Sequence, residues 1–172
     1  NVARLQEFYL EAAAATYAGG EVKKETIADL PRSKVYRYER MNLLYVDTYF
    51  TNGEWSGGQT VIYDADRMPI WLMQYHGWCK DDDPKVLAFL KETLAAAYRR
   101  GDFCGGRGPF GEWGGGWGPE GELVYENVPQ MPPHHPQDFT NFQGRERIWR
   151  YPDKTKEVFR HRYQGLLLGE KA

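Results

Sequence analysis

Ile70-Trp71-Leu72-Met73-Gln74-Tyr75-His76-Gly77 and Val158-Phe159-Arg160-His161-Arg162-Tyr163-Gln164-Gly165 read as two versions of one strand. The likeness extends upstream. Tyr49-Phe50-Thr51-Asn52 and Gly58-Gln59-Thr60-Val61-Ile62-Tyr63 return as Asp138-Phe139-Thr140-Asn141 and Gly144-Arg145-Glu146-Arg147-Ile148-Trp149. The offset is 86 residues between Gly58 and Gly144 and 88 between Gly77 and Gly165, so the copies differ by a hairpin two residues longer, a change that turns absorb. Alternating aromatic and β-branched residues split by turn formers predict strands at Val35–Asn42, Leu44–Phe50, Gln59–Asp64 and Ile70–Gly77, then at Leu123–Val128, Arg145–Tyr151 and Glu157–Gly165. Asn52-Gly53 and Asp64 to Pro69 are the expected turns of the first copy.

A helix is expected before each copy. Leu5, Phe8, Tyr9, Ala12 and Thr16 fall at helical spacing, so Val2 to Tyr17 reads as an amphipathic helix stopped by Gly19-Gly20. Asp81-Asp82-Asp83-Pro84 supplies carboxylates and a first-turn proline for the second, with Val86, Leu90, Leu94, Ala97 and Tyr98 as its apolar stripe and Gly101 as its end. The predicted architecture is α+β, a single domain over 1–172 built from two helix-plus-antiparallel-meander repeats (about 1–80 and 84–168) that pair as pseudo-two-fold halves of one sheet system. Gly101 to Gly121 holds 10 of the 19 glycines and two prolines, and is expected to be an irregular Gly/Trp-rich loop.

Alternation along a strand separates two faces. Trp71, Met73 and Tyr75 align with Phe159, His161 and Tyr163, which predicts a mainly apolar face packed on the helices. The other face carries Ile70, Leu72, Gln74 and His76 in one copy and Val158, Arg160, Arg162 and Gln164 in the other, and is expected to border a cleft or solvent.

Four segments carry a resemblance to a known family: Tyr17-Ala18-Gly19-Gly20, Asp47-Thr48-Tyr49-Phe50, Pro69-Ile70-Trp71-Leu72-Met73-Gln74-Tyr75-His76-Gly77 and Phe142-Gln143-Gly144-Arg145-Glu146-Arg147-Ile148. Together they resemble a bacterial domain family of unknown function, members of which are sometimes fused behind a helix-turn-helix DNA-binding domain. The resemblance implies a sensing or regulatory module and brings no activity, cofactor or catalytic residue with it.

Composition narrows the function classes. Hydrophobic residues make up 41% and charged residues 27%, which excludes general disorder. With 22 basic and 24 acidic residues, no global basic field draws the chain to nucleic acid or anionic membrane. Arg145, Arg147, Arg150, Lys154, Lys156, Arg160 and Arg162 give one stretch a local basic excess beside Trp149, but alternating charges on strands are usually solvated, and nucleic acid is not the expected partner. Cys79 and Cys104 are too few for a disulfide scaffold and fit no paired zinc spacing, so a reducing, cytoplasmic setting is expected, with no apolar run long enough to span a bilayer.

Several candidate sites fall on inspection of their context. Gly106-Arg107-Gly108-Pro109-Phe110-Gly111 and Gly116-Trp117-Gly118-Pro119-Glu120-Gly121 match a dinucleotide pattern, yet they follow a helix instead of leading a strand into one. His134-His135, His76, His161, Cys79 and Cys104 lack recurrent metal-ligand spacing, so no metal and no cofactor is expected. The favoured expectation is a small-molecule-binding regulatory module with an aromatic pocket near the junction of the halves. Its lining is expected from Tyr49, Trp55, Trp71, Tyr75, His76 and Trp149, with Glu146 or Arg162 meeting a charged part of the ligand and Trp113 and Trp117 on a lid loop. The alternatives are a hydrolase using Cys79 or Cys104 with His76 or His161 and a carboxylate such as Glu146, or an interaction domain that presents the Trp113 and Trp117 loop. No residue is assigned a catalytic role.

Overall fold

The computed structural model describes residues 1–20, 22–101, 103–109, 111–114, 123–130, 139–150 and 156–169. Among them are two α-helices and one eight-stranded antiparallel sheet, a mixed α/β architecture. The strands are β1 (Lys34–Arg40), β2 (Leu43–Asn52), β3 (Trp55–Tyr63), β4 (Pro69–Cys79), β5 (Gly111–Gly114), β6 (Leu123–Pro129), β7 (Asn141–Arg150) and β8 (Glu157–Leu167). Their spatial order is β1-β2-β3-β4-β8-β7-β6-β5, so two meanders meet along β4 and β8. In that central pair Tyr75 stands opposite Tyr163 and Gln74 opposite Gln164.

Helix α1 (Val2–Ala13) and helix α2 (Pro84–Arg100) cover one face of the sheet. That face carries Trp71, Met73, Tyr75, Phe159, His161 and Tyr163, all buried, whereas Gln74, His76, Arg162 and Gln164 on the other face are exposed. The core is aromatic. Tyr9 of α1 lies 4.8 Å from the Trp71 ring and 6.1 Å from Tyr98 of α2, which ties both helices to the sheet. Asp83 caps α2 by accepting from the Lys85 amide at 2.9 Å, and Gly101 closes it at φ 77°, a left-handed conformation that glycine adopts without penalty.

The structure corrects the sequence reading in three places. The α-helical part of the first helix ends at Ala13, and a wider π-type turn continues from Ala14 to Ala18. There Thr16 donates its hydroxyl to the Ala12 carbonyl at 2.8 Å, a local bond that competes with the regular ladder. Strand β1 stops at Arg40 because Met41 and Asn42 both take positive φ, making a tight turn inside the expected Val35–Asn42 strand. The tract expected to be irregular throughout contributes β5, which pairs with β6 at the sheet edge.

A cationic and aromatic cavity over the centre of the sheet

A buried polar network is anchored where the two meanders meet. Tyr75 donates its hydroxyl to Asp47 Oδ1 at 2.7 Å, and Thr60 donates to the same oxygen at 2.8 Å. Tyr163 donates to Asn127 Oδ1 at 2.5 Å, and Tyr125 donates to Glu146 Oε2 at 2.8 Å. Between these sets lies Arg107, 7% exposed, whose Nε donates to Glu146 Oε1 at 2.7 Å and whose guanidinium sits 4.8 Å over the Tyr75 ring. Glu146 is 0% exposed, so its charge is held in a low-dielectric interior by Arg107 and the Tyr125 hydroxyl.

Glycines on either side of Arg107 make this placement possible. A Cβ at Gly106 would collide with the Tyr163 ring and one at Gly108 with Tyr125, so only a backbone without side chains can lie this close to both tyrosines. Arg107 therefore reaches the sheet from a segment whose glycine spacing matches a dinucleotide pattern but here brings the backbone against two tyrosine rings.

His161 completes the network. Its Nδ1 lies 3.1 Å from the Arg107 terminal nitrogen, and its Nε2 lies 2.9 Å from Ser56 Oγ. A guanidinium only donates, so Nδ1 must accept and the ring proton sits on Nε2, directed at Ser56. In this arrangement the imidazole has no lone pair left to take a proton from the Ser56 hydroxyl. Burial, then the nearby charges of Arg107 and His76, hold the imidazole well below its usual pKa, so the ring is neutral. Asp47 is displaced the opposite way: burial raises its pKa, opposed by the hydrogen bonds from Tyr75 and Thr60 and by the charge of Arg107.

Above the network is a cavity of about 220 Å³. Its deep wall includes the buried Tyr75, Phe159, Arg107 and His161, while Tyr17, Tyr49 and Trp55 stand nearer solvent, Trp55 being 63% exposed. Tyr17 meets Tyr49 edge-on at 6.0 Å. Lys34 Nζ lies 5.4 Å over the Tyr49 ring and Lys91 Nζ 5.2 Å over the Tyr17 ring, so each ammonium is carried on an aromatic face. Cys79 also lines the cavity, with its thiol pushed up to about 11 mainly by burial, which leaves little thiolate at neutral pH.

Of the residues expected to line a pocket, Tyr49, Trp55 and Tyr75 come together here. Glu146 lies beneath them, bound to Arg107. Trp71 is a core residue whose indole N–H donates to the Phe139 carbonyl at 3.0 Å. His76 and Arg162 are directly opposed across β4 and β8, but on the other face of the sheet, where they line a separate depression of about 340 Å³ with Gln74 and Gln164. Trp149 carries the Arg147 guanidinium 5.1 Å from its ring and does not line the cavity. The Trp113 side chain, Trp117, His134 and His135 lie outside the described residues.

Arg107, Ser56, Tyr17 and the lysines line the cavity without being among the expected residues, and Asp47 lies in the network without lining it. A larger depression of about 610 Å³ opens beside the start of α1, but its polar lining residues Asn1, Arg4 and Asn42 are all exposed. It lacks the buried, oriented polar groups that fix a ligand. Among the described residues no group of three or more His, Cys, Asp or Glu side chains is placed to hold a metal ion, and no helix is long and apolar enough to cross a membrane. No curated protein and no solved structure matches the chain. Residues 47–112, which run from the buried Asp47 through Tyr75 and Arg107 into β5, match one family model, and a Domain of unknown function (DUF5680) is thereby found over that stretch.

Proposed function

We propose that the protein is a small-molecule-binding module of regulatory type, with its ligand in the cavity walled by Tyr17, Tyr49, Trp55 and Tyr75. The observation that carries this reading is an aromatic cavity placed directly over a buried Arg107–Glu146–His161 network. A buried ion pair gives little net stability over an apolar core of the same volume, so its use beneath a cavity supports a role in orienting a ligand. At about 220 Å³ the space is below the ~300–1,000 Å³ of drug-sized pockets and suits a small metabolite.

The regulatory part rests on the resemblance to a bacterial family with members fused behind helix-turn-helix domains. A reducing, cytoplasmic setting belongs to the same proposal and is in keeping with Cys79 and Cys104 being free thiols.

The architecture that frames the cavity is read as a duplicated helix-plus-meander unit related by a pseudo-two-fold axis at the Tyr75 and Tyr163 pair. Gly58 stands opposite Tyr75 on β3, and Gly144 stands opposite Tyr163 on β7. A Cβ at Gly77 would collide with the Arg160 carbonyl, and one at Gly165 would come within 2.8 Å of the Leu72 carbonyl, so the same two crossings recur 88 residues apart.

The hydrolase alternative is favoured less. Ser56 is within hydrogen-bond reach of His161, but Arg107 occupies Nδ1, and the Cys79 thiol is held protonated.

A thermal-shift screen against a metabolite library tests the binding reading. At least one compound should raise Tm in a dose-dependent way through preferential binding to the folded form, and the shift should vanish in Tyr49→Ala. A library with no saturable shift, or a shift unchanged in Tyr49→Ala, overturns it.

A further inference from the structure

We infer that the ligand of this cavity is an anion, a small molecule whose carboxylate or phosphate head is held by Lys24, Lys34 and Lys91 while its flat apolar body lies among the tyrosines; this rests on the binding reading above.

The three lysines come from separate places, one from the connector before β1, one from the start of β1 and one from α2, and converge on the same cavity. None of them forms an ion pair with a carboxylate among the described residues. Lys34 Nζ donates to Thr51 Oγ1 at 2.8 Å, which uses one of its three protons and leaves two. Burial and the like charge of Lys24 and Lys91 hold the Lys34 ammonium below its usual pKa despite Asp82 nearby. Cations kept together against their repulsion are stabilised by whatever anion enters between them.

The acidic groups at the cavity do not cancel this. Glu54 and Asp82 are two carboxylates against three ammonium groups, which leaves the outer wall with a net positive charge, and Glu54 Oε1 is already engaged by the Asp81 amide at 2.6 Å. Arg107 adds no free charge, because Glu146 neutralises it. The division of labour is therefore spatial: the deep wall is aromatic with a balanced ion pair, and the uncompensated cations stand at the outer wall, where Lys24 and Lys91 are exposed. A ligand with an acidic end and a planar body matches that order, and one without charge leaves the lysines as they are.

The test uses benzoate, phenyl phosphate and benzyl alcohol as probes of near-equal ring size, followed by Tm and tryptophan fluorescence, since Trp55 lines the mouth. Benzoate or phenyl phosphate should bind saturably, the tighter of the two naming the head group, while benzyl alcohol binds far more weakly. Lys34→Gln and Lys91→Gln should each weaken the anion by about tenfold or more, as expected for lost hydrogen bonds to a charged group of ~1.5–3 kcal/mol. Lys23→Gln, exposed and not part of the lining, should leave it unchanged. Raising ionic strength should weaken the anions but not the alcohol.

Equal binding of all three probes overturns the anionic assignment and leaves the cavity reading standing. Failure of both anions at millimolar concentration also overturns it, and the metabolite screen then decides the cavity reading separately. Anion binding indifferent to both lysine substitutions places the anion elsewhere and overturns the inference as well.

Discussion

Two rungs of the sheet occupy matching positions in the two meanders and hold their charge differently. In the β1–β4 meander Asp47 stands opposite Thr60 and accepts the Tyr75 hydroxyl; in the β5–β8 meander Asn127 stands opposite Glu146 and accepts the Tyr163 hydroxyl. The tyrosine-to-Asx bond is common to both, but the acid has changed strands, from β2 in the first to β7 in the second. Among the described residues only the second acid is ion-paired with a cation, because Arg107 bonds to Glu146 and meets the first meander at the Tyr75 ring. The two rungs thus share a tyrosine-to-Asx hydrogen bond, while the element laid over the sheet decides which acid is paired with a cation.

The largest expected effect separates these two rungs. Arg107→Met removes the cation and leaves Glu146 buried and unpaired, which should cost about 3–5 kcal/mol of stability in urea unfolding at neutral pH. The double variant Arg107→Met with Glu146→Gln should recover much of that loss, because no uncompensated charge then remains. A single-variant loss below about 1 kcal/mol, the range of an exposed pair, would show that the network is hydrated and that the contrast between rungs is only apparent.

A smaller difference is expected at the two glycines of the central strands. Gly77→Ala drives a methyl into the Arg160 carbonyl and the His161 ring, and a paired backbone cannot yield without breaking its ladder. Gly165→Ala meets the edge of the Phe142 ring first, with the Leu72 carbonyl at 2.8 Å, and a side chain can turn aside. Both should destabilise, by roughly 1–3 kcal/mol or more for overpacking, with Gly77→Ala the worse. If Gly165→Ala costs more, the two crossings are not the equivalent pair that the duplication reading needs.

How much of this was open to sequence reasoning depends on range. The alternation that placed Trp71, Met73, Tyr75, Phe159, His161 and Tyr163 on one face is a local signal, and all six are buried on the helix side. Tyr49, Trp55 and Tyr75, expected as pocket aromatics because such rings supply most contact area, line one cavity. Lys24, Lys34 and Lys91 each read locally as solvated, and only the packing of the π-type turn against both α2 and β1 brings them together. Strand β5 was missed for a related reason: Gly111-Glu112-Trp113-Gly114 has poor intrinsic strand preference, and its pairing with β6 overrides that. For Arg107 a signal did exist. An arginine bracketed by Gly106 and Gly108 and followed by Pro109 marks a backbone able to lie against bulky rings, and a single charged residue in such a stretch is a candidate for a buried counter-ion.

The smallest effect isolates the acid without a direct cation. Asp47→Asn makes the first rung resemble the second, keeping an oxygen for Tyr75 and Thr60 while removing a carboxylate that burial disfavours in its charged form. Because the folded-state pKa of Asp47 is raised, the stability it contributes is present below the ordinary carboxylate value and is lost as pH rises through the folded one. His161 acts in the other direction, since its folded-state pKa is lowered: its contribution is present above about 6.5 and is lost as pH falls from there. The native protein should therefore lose stability on acidification below about 6.5, with Asp47 partly offsetting the His161 slope at the acid end. Asp47→Asn should gain about 1 kcal/mol or less at pH 7.5 and show a steeper acid loss, whereas His161→Gln should flatten the profile. Urea midpoints at pH 4.5, 5.5 and 7.5 measure all three chains, and a loss of stability in Asp47→Asn at pH 7.5 would mean that the charged carboxylate is itself needed, as Glu146 is, and that the two rungs are alike after all.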